Sequence, residues 1–136
     1  MSEPGCIFCQ IVAGEAEAFV VASGPTAVAF LDISPLALGH TLVVPTRHHA
    51  DLLDGGADVL HEVAPVVEET ARLLVGRLGA EGLNLFQSTG AAAGQEVAHF
   101  HVHLIPRWRD DGVLRTLVGE PSGAEDLDAL HARLVG

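Results

Sequence analysis

Lysine and tyrosine are absent from this chain, and tryptophan and methionine occur once each. Seven arginines are its entire permanent positive charge, against 18 acidic residues, and the formal net charge is −11. That balance excludes general attraction to a nucleic acid backbone. An anion bound here must be held by backbone N–H groups, arginine or protonated histidine. No apolar run reaches the ~18 residues needed to cross a bilayer. No basic stretch leads into an apolar core near the N-terminus, as a secretory signal requires. A cytoplasmic location with no membrane partner is therefore expected. The two cysteines are too close in sequence to form a structural staple, and a cytosolic protein would keep them reduced. At 136 residues, about half of them hydrophobic, the chain is long enough to bury a real core as a single domain over 1–136.

Histidine is the residue that is present and ordered. In Ala98-His99-Phe100-His101-Val102-His103-Leu104-Ile105-Pro106-Arg107 it recurs at every second position. Period two is the strand period, which sends alternate side chains to opposite faces. As a strand the stretch puts three imidazoles in one row and Phe100, Val102 and Leu104 in the other. As a helix the histidines would step by about 200° and form no stripe. Neighbours in the row would stand about 6.5–7 Å apart, so one small anion or metal could touch two or three rings.

The rest of the chain supplies a frame. Cys6–Val12 reads as a short helix with Ile7, Phe8 and Ile11 as its apolar stripe, closed by Gly14. Phe19–Ala22 and Ala27–Leu31 form a hairpin about Ser23-Gly24-Pro25. His40–Val44 is a third strand, stopped by Pro45. Val59–Leu78 is the main helix, with Leu60, Val63, Ala64, Val67, Ala71, Leu74, Val75 and Leu78 as one buried face. Glu62, Glu69 and Arg72 fall opposite, and Pro65 predicts a kink or a late start. Leu83–Gln87 is a fourth strand, a small-residue loop runs from Thr89 to Gly94, and the histidine strand is the fifth. Ser122-Gly123-Ala124-Glu125 fits a capping box opening a helix that carries Leu127, Leu130 and Leu134. The order β-β-β-α-β-β-α lacks βαβ alternation, which points to an α+β fold with a five-stranded antiparallel sheet.

Three chemistries fit the histidine row. Lone histidines such as His61 or His131 are usually packed or solvated, and the row could be core packing. It could be a three-histidine metal centre with an open position. It could carry nucleophilic catalysis, since imidazole is a good nucleophile and leaving group near neutral pH. One ring would then attack phosphorus, another would carry a proton, and the small-residue loop would supply N–H donors for phosphate oxygens. Cys6 and Cys9, spaced C-x-x-C, are half of a zinc site or a redox pair. A redox pair usually opens a helix straight after a strand, and no strand precedes Cys6, so zinc is preferred if two further ligands exist.

His99-Phe100-His101-Val102-His103-Leu104-Ile105 resembles the His-x-His-x-His-x-x signature of the histidine triad (HIT) family. Four further blocks resemble the same family: Cys6–Ile11, Ala29–Ile33, Gly39–Pro45 and Gly94-Gln95. Together they extend over nearly the whole chain, and the chain is most similar to the Hint-like bacterial branch, small dimeric nucleoside phosphoramidate hydrolases, ahead of the diadenosine-polyphosphate branch. The resemblance implies that His101 attacks the α-phosphorus of a nucleoside monophosphate conjugate, giving a nucleotidyl-histidine that water hydrolyses. It implies that His103 binds phosphate and assists proton transfer, and that His99 supports the arrangement from behind. Asp32 would hold the ribose hydroxyls, and Ile7, Phe8, Phe30, Leu31 and Ile33 would sandwich the base. Ser88, Gln95, Val97 and the loop backbone would lie against the nucleotide's phosphate end. The zinc ligands implied are Cys6, Cys9, His48 and His99, with His49 the one-residue alternative to His48. A closed four-ligand set would be structural and not required for catalysis. The partner molecules implied are an AMP or GMP conjugate and a second copy of the chain, sheets joined across a two-fold axis.

Two positions depart from the family pattern. Ser88 stands where Asn or Gln is frequent, and Glu96 stands where the Hint-like branch often has Ser or Thr against the α-phosphate. A carboxylate there repels substrate unless it turns away, and simple alternation gives Glu96 the parity of Phe100, opposite the histidines. An enzyme and a nucleotide-binding module that has lost turnover are the two function classes this leaves, with a metal-dependent hydrolase third.

Overall fold

A computed structural model describes residues 2–113 and 126–136. A short helix α1 (Ile7–Val12) opens the fold, its N-terminus capped by the Cys6 side chain, which accepts from the Cys9 N–H. Strands β1 (Val20–Ser23) and β2 (Ala27–Leu31) form the hairpin expected, and β3 (Thr41–Pro45) follows. The long helix α2 (Leu52–Leu78) leads into β4 (Gly82–Gln87), a 3₁₀ turn at Ala91–Ala93, and β5 (Val102–Arg107). A last helix α3 (Leu127–Val135) ends the chain. The strands form one five-stranded sheet in the order β1-β2-β3-β5-β4, and every neighbouring pair is antiparallel. This is the α+β arrangement expected from the element order.

Strand alternation sorts the side chains into two layers. Ala27, Ala29, Val43, Phe100, Val102 and Leu104 pack with Val59, Val63, Val66 and Leu74 of α2. Phe30, Leu42 and Val44, of opposite parity, pack with Phe8 on the other face, where Cys6, Ile11 and Val97 border them. The sheet therefore carries the long helix on one side and α1 on the other. The histidines belong to the α1 side.

Several local expectations are corrected. The buried face of α2 is Val59, Val63, Val66, Thr70 and Leu74, one step round from the face read off the sequence. Leu60, Val75 and Leu78 are 46%, 43% and 38% exposed, because alanine and valine elsewhere on the helix satisfy the periodicity equally well. Glu62 turns inward instead of outward, to meet His49 Nε2 at 3.0 Å. The non-helical backbone lies at Gly56 (φ 64, ψ −157), not at Pro65, so α2 starts earlier than expected and bends where glycine alone is comfortable. Pro45 ends β3 from within it, pairing with Ala27. The capping box Ser122–Glu125 lies outside the described residues; the cap seen for α3 is Asp126, accepting from the Asp128 and Ala129 N–H groups. Leu127 and Leu134 of α3 are exposed.

Candidate functional site

The histidine stretch is only partly a strand. β5 begins at Val102, so His99, in a bend, and His101 lie on the irregular run that feeds it. Alternation survives: Phe100 is sealed in the α2 layer while Phe8 of α1 meets both His99 and His101, at ring-centroid distances of 5.8 and 5.2 Å. The row is not even, however. The His101 and His103 rings tilt together to 5.0 Å, whereas His99 is fully buried and turned into a separate cluster.

Hydrogen bonds to fixed partners assign the tautomers. A carbonyl oxygen only accepts, so His101 Nδ1 carries the proton it donates to the His99 carbonyl at 2.7 Å. The lone pair of His101 is then on Nε2. His99 Nε2 likewise donates to the Pro45 carbonyl at 3.1 Å, leaving its lone pair on Nδ1. That Nδ1 faces Cys6 Sγ at 3.4 Å, Cys9 Sγ at 3.5 Å and His48 Nδ1 at 3.2 Å, and Cys9 Sγ is 3.3 Å from His48 Nδ1. Four donors round a tetrahedral zinc stand about 3.3–3.8 Å apart. The donor set, its spacing and the free lone pair on His99 all fit that ion. His49 is not among the four: its Nε2 is engaged by Glu62 and its carbonyl accepts from the Phe100 N–H at 2.6 Å.

Burial is the largest influence on the triad's protonation. It pushes the pKa of His99 down to about 4 against the bond to Pro45, which raises it. His103 is also held down to about 4, by burial and then by the neighbouring His101 and His40, with Asp32 opposing. His101 is lowered by burial, with the His99 carbonyl and Asp32 opposing. All three are neutral near pH 7 in the free protein. Burial pushes the Cys9 thiol up.

The remaining expected residues divide. Phe8 and Phe30 are buried with rings 5.4 Å apart, and Phe8 meets the buried His101 ring, while Ile7 and Ile33 are 45% and 88% exposed. Leu31 has the parity of Ala27 and Ala29, so it does not share a wall with Phe30. Asp32 lies at the end of β2, its Oδ1 accepting from the Ser34 N–H at 2.8 Å and its Oδ2 3.6 Å from His40 Nε2. Ile33 also borders a cleft of about 750 Å³ with Ile11, Phe19, Val20, Glu15 and Glu17, within the size range of small-molecule sites. Ser88 follows Gln87, the residue paired with Val102. Val97 packs against the Phe8–Phe30 layer. Glu96 is exposed; the backbone there is loop, so strand parity does not place it.

The Gln95 side chain is engaged by its own loop. Its Oε1 accepts from the Gly90 N–H at 2.8 Å, and its Nε2 donates to the carbonyls of Ala50 and Val97 at 2.7 and 2.9 Å. The N–H groups of Ala93, Gly94 and Gln95 are also spent within the loop. These bonds fix the loop's shape and leave fewer donors for an anion than its composition suggested.

Two contributors were missed. Phe86 of β4 stacks on His103 with centroids 4.3 Å apart and planes 12° from parallel. His40, 3% exposed at the entry to β3, reaches His103 Nδ1 at 2.9 Å. Parity would have put His40 on the face of Leu42 and Val44, but the pairing of β3 with β5, which brings Leu42 opposite His103, cannot be read from a single sequence.

Residues 13–110 match the family model of the HIT domain. The adenosine 5′-monophosphoramidase HNT1 of Candida albicans is 37% identical over 133 residues, spanning 95% of this chain and 86% of that protein. A Streptococcus mutans crystal structure superposes with a TM-score of 0.88 at 33% identity, over 98% of this chain and 83% of the other. A zinc-bound histidine triad family protein from Mycobacterium smegmatis superposes with a TM-score of 0.76 at 37% identity, over 80% and 79%.

Proposed function

As the chain belongs to the HIT family, we propose that it is a hydrolase or transferase acting at the α-phosphorus of a nucleoside monophosphate conjugate, such as an adenosine phosphoramidate or a dinucleoside polyphosphate. The observation that carries this reading is the His101 ring. Its Nδ1–H is tied to the His99 carbonyl and its Nε2 lone pair is free beside His103. His101 Nε2 forms a bond to phosphorus as the bond from phosphorus to the leaving nitrogen or oxygen breaks and its electron pair departs with that atom. The leaving group takes up one proton. Water then attacks phosphorus, the Nε2–P bond breaks, His101 is regenerated and the water returns a proton. The Nδ1–H bond supports the positive imidazole of the intermediate. His103 Nε2–H donates to a phosphoryl oxygen. Asp32 accepts from the ribose hydroxyls, and Ile7, Phe8, Phe30 and Ile33 pack against the base.

Cys6, Cys9, His48 and His99 would hold one zinc ion. Bound there it supplies a cross-link between α1 and the histidine stretch, and no step of the reaction runs through it. A second copy of the chain would cover the apolar outer residues of α2, Leu60, Val75 and Leu78, and Leu85 of the edge strand β4. No helix among the described residues is long and apolar enough to cross a membrane; reduced zinc-bound thiols suit a cytoplasmic setting.

The test is His101→Ala. Turnover of an adenosine phosphoramidate should fall by at least about a thousandfold, as loss of a nucleophile does, while AMP still binds. Unchanged turnover overturns the assignment. The exposed Glu96 and the loop N–H groups already spent favour one second reading, a nucleotide-binding module without turnover. Tight AMP binding with no cleavage of any conjugate by the unaltered protein would select it.

A further inference from the structure

The Leu36 N–H points at His40 Nδ1 at 3.1 Å. A backbone N–H only donates, so His40 Nδ1 is unprotonated and the ring proton is on Nε2. Two acceptors face that Nε2. His103 Nδ1 is 2.9 Å away and Asp32 Oδ2 is 3.6 Å away. Only the first is at hydrogen-bond distance, so His40 donates to His103. His103 Nδ1 is therefore the acceptor, and the His103 proton resides on Nε2.

From this chain of bonds we propose that His40 is a positioning residue, which fixes His103 as a neutral Nε2–H donor toward the phosphoryl group. The proposal rests on the functional reading above for what the donor is used for, and on the geometry alone for the tautomer. A neutral imidazole held as a donor stabilises charge developing on oxygen without first having to find a proton. The opposite tautomer would turn a lone pair toward the phosphate and repel it. Phe86 completes the clamp by setting the plane of the ring, and the His101 ring stands 5.0 Å from it. Asp32, His40 and His103 also bring donor atoms close enough together for a metal ion. The Leu36 N–H argues against one, because a metal at Nε2 would need the proton on Nδ1, where that N–H already points.

The experiment is a two-bond ¹⁵N–¹H correlation spectrum of the labelled full chain at neutral pH, with His103 assigned from a His103→Asn variant. The expected spectrum has His103 protonated on Nε2. In His40→Leu the ring should lose that preference, and kcat for an adenosine alkylphosphoramidate should fall by about tenfold or more, the worth of one directed hydrogen bond, with KM changed less. His40→Gln keeps an N–H near the position of Nε2 and should recover most of kcat and the tautomer. A proton on Nδ1 of His103 in the unaltered protein overturns the proposal. So does an unchanged tautomer in His40→Leu, a Gln variant no better than Leu, or zinc shifting the His40 and His103 resonances before any others. If the unaltered protein cleaves no conjugate, the spectra still decide the role of His40 and the functional reading falls separately.

Discussion

Gln95→Met separates a loop clamp from a phosphate ligand. The substitution keeps the side chain's length and volume and removes three hydrogen bonds, from Gly90 N–H and to the carbonyls of Ala50 and Val97. At about 1 kcal/mol net for each bond lost, the fold should weaken by about 2–3 kcal/mol, toward the lower end where water reaches the half-buried groups. For a chain of this size that is a Tm lower by about 6–12 °C. Urea unfolding should show a reduced midpoint with an unchanged slope. Gly90 and Val97 flank the loop beside the triad, so KM for a phosphoramidate should rise as the loop loosens. A variant with the original midpoint and only a raised KM would refute the clamp and return Gln95 to direct contact with substrate.

Three further outcomes follow from the same geometry. Metal analysis of protein purified without chelator should find one zinc per chain, and Cys9→Ser should lose it and expose α1 to proteolysis; a metal-free, protease-resistant protein would contradict the four-ligand set. Protonation of His101 Nε2 removes the attacking lone pair and its pKa is lowered, so the acid limb of kcat/KM should lie below pH 6.5; a limb at pH 7 or above would contradict it. The His103 pKa of about 4 means that the unfolded chain binds more protons between about pH 6.5 and 4, so stability should fall as pH drops through that window, and a Tm that rises there would contradict the burial of this ring.

Much of the fold was legible because its strands are short, bounded by Gly and Pro, and of period two. The hairpin over β1 and β2 and the alternation around Phe100, Val102 and Leu104 needed nothing more. The face of α2 was misread because small and large apolar residues surround that helix, and tertiary packing, not periodicity, chose Val66 and Thr70 over Leu60 and Val75. Glu62 looked solvated until the position of His49 across the fold gave it a partner. The cluster of Cys6, Cys9, His48 and His99 brings together residues up to 93 positions apart, which spacing alone could not join; the resemblance supplied it. The loop bonds of Gln95 were hidden for another reason. A residue type suited to touching phosphate is equally suited to tying a loop, and only the three bond distances reveal the tie.

The central claim is a covalent bond between His101 and phosphorus. Rapid-quench of the protein with an adenosine phosphoramidate, followed by peptide mass spectrometry, measures it directly. A transient adenylyl group on the peptide containing His101, localised to that ring and lost at the rate of turnover, is the expected result. Cleavage with no adduct at any time, or an adduct on another residue, would contradict the account.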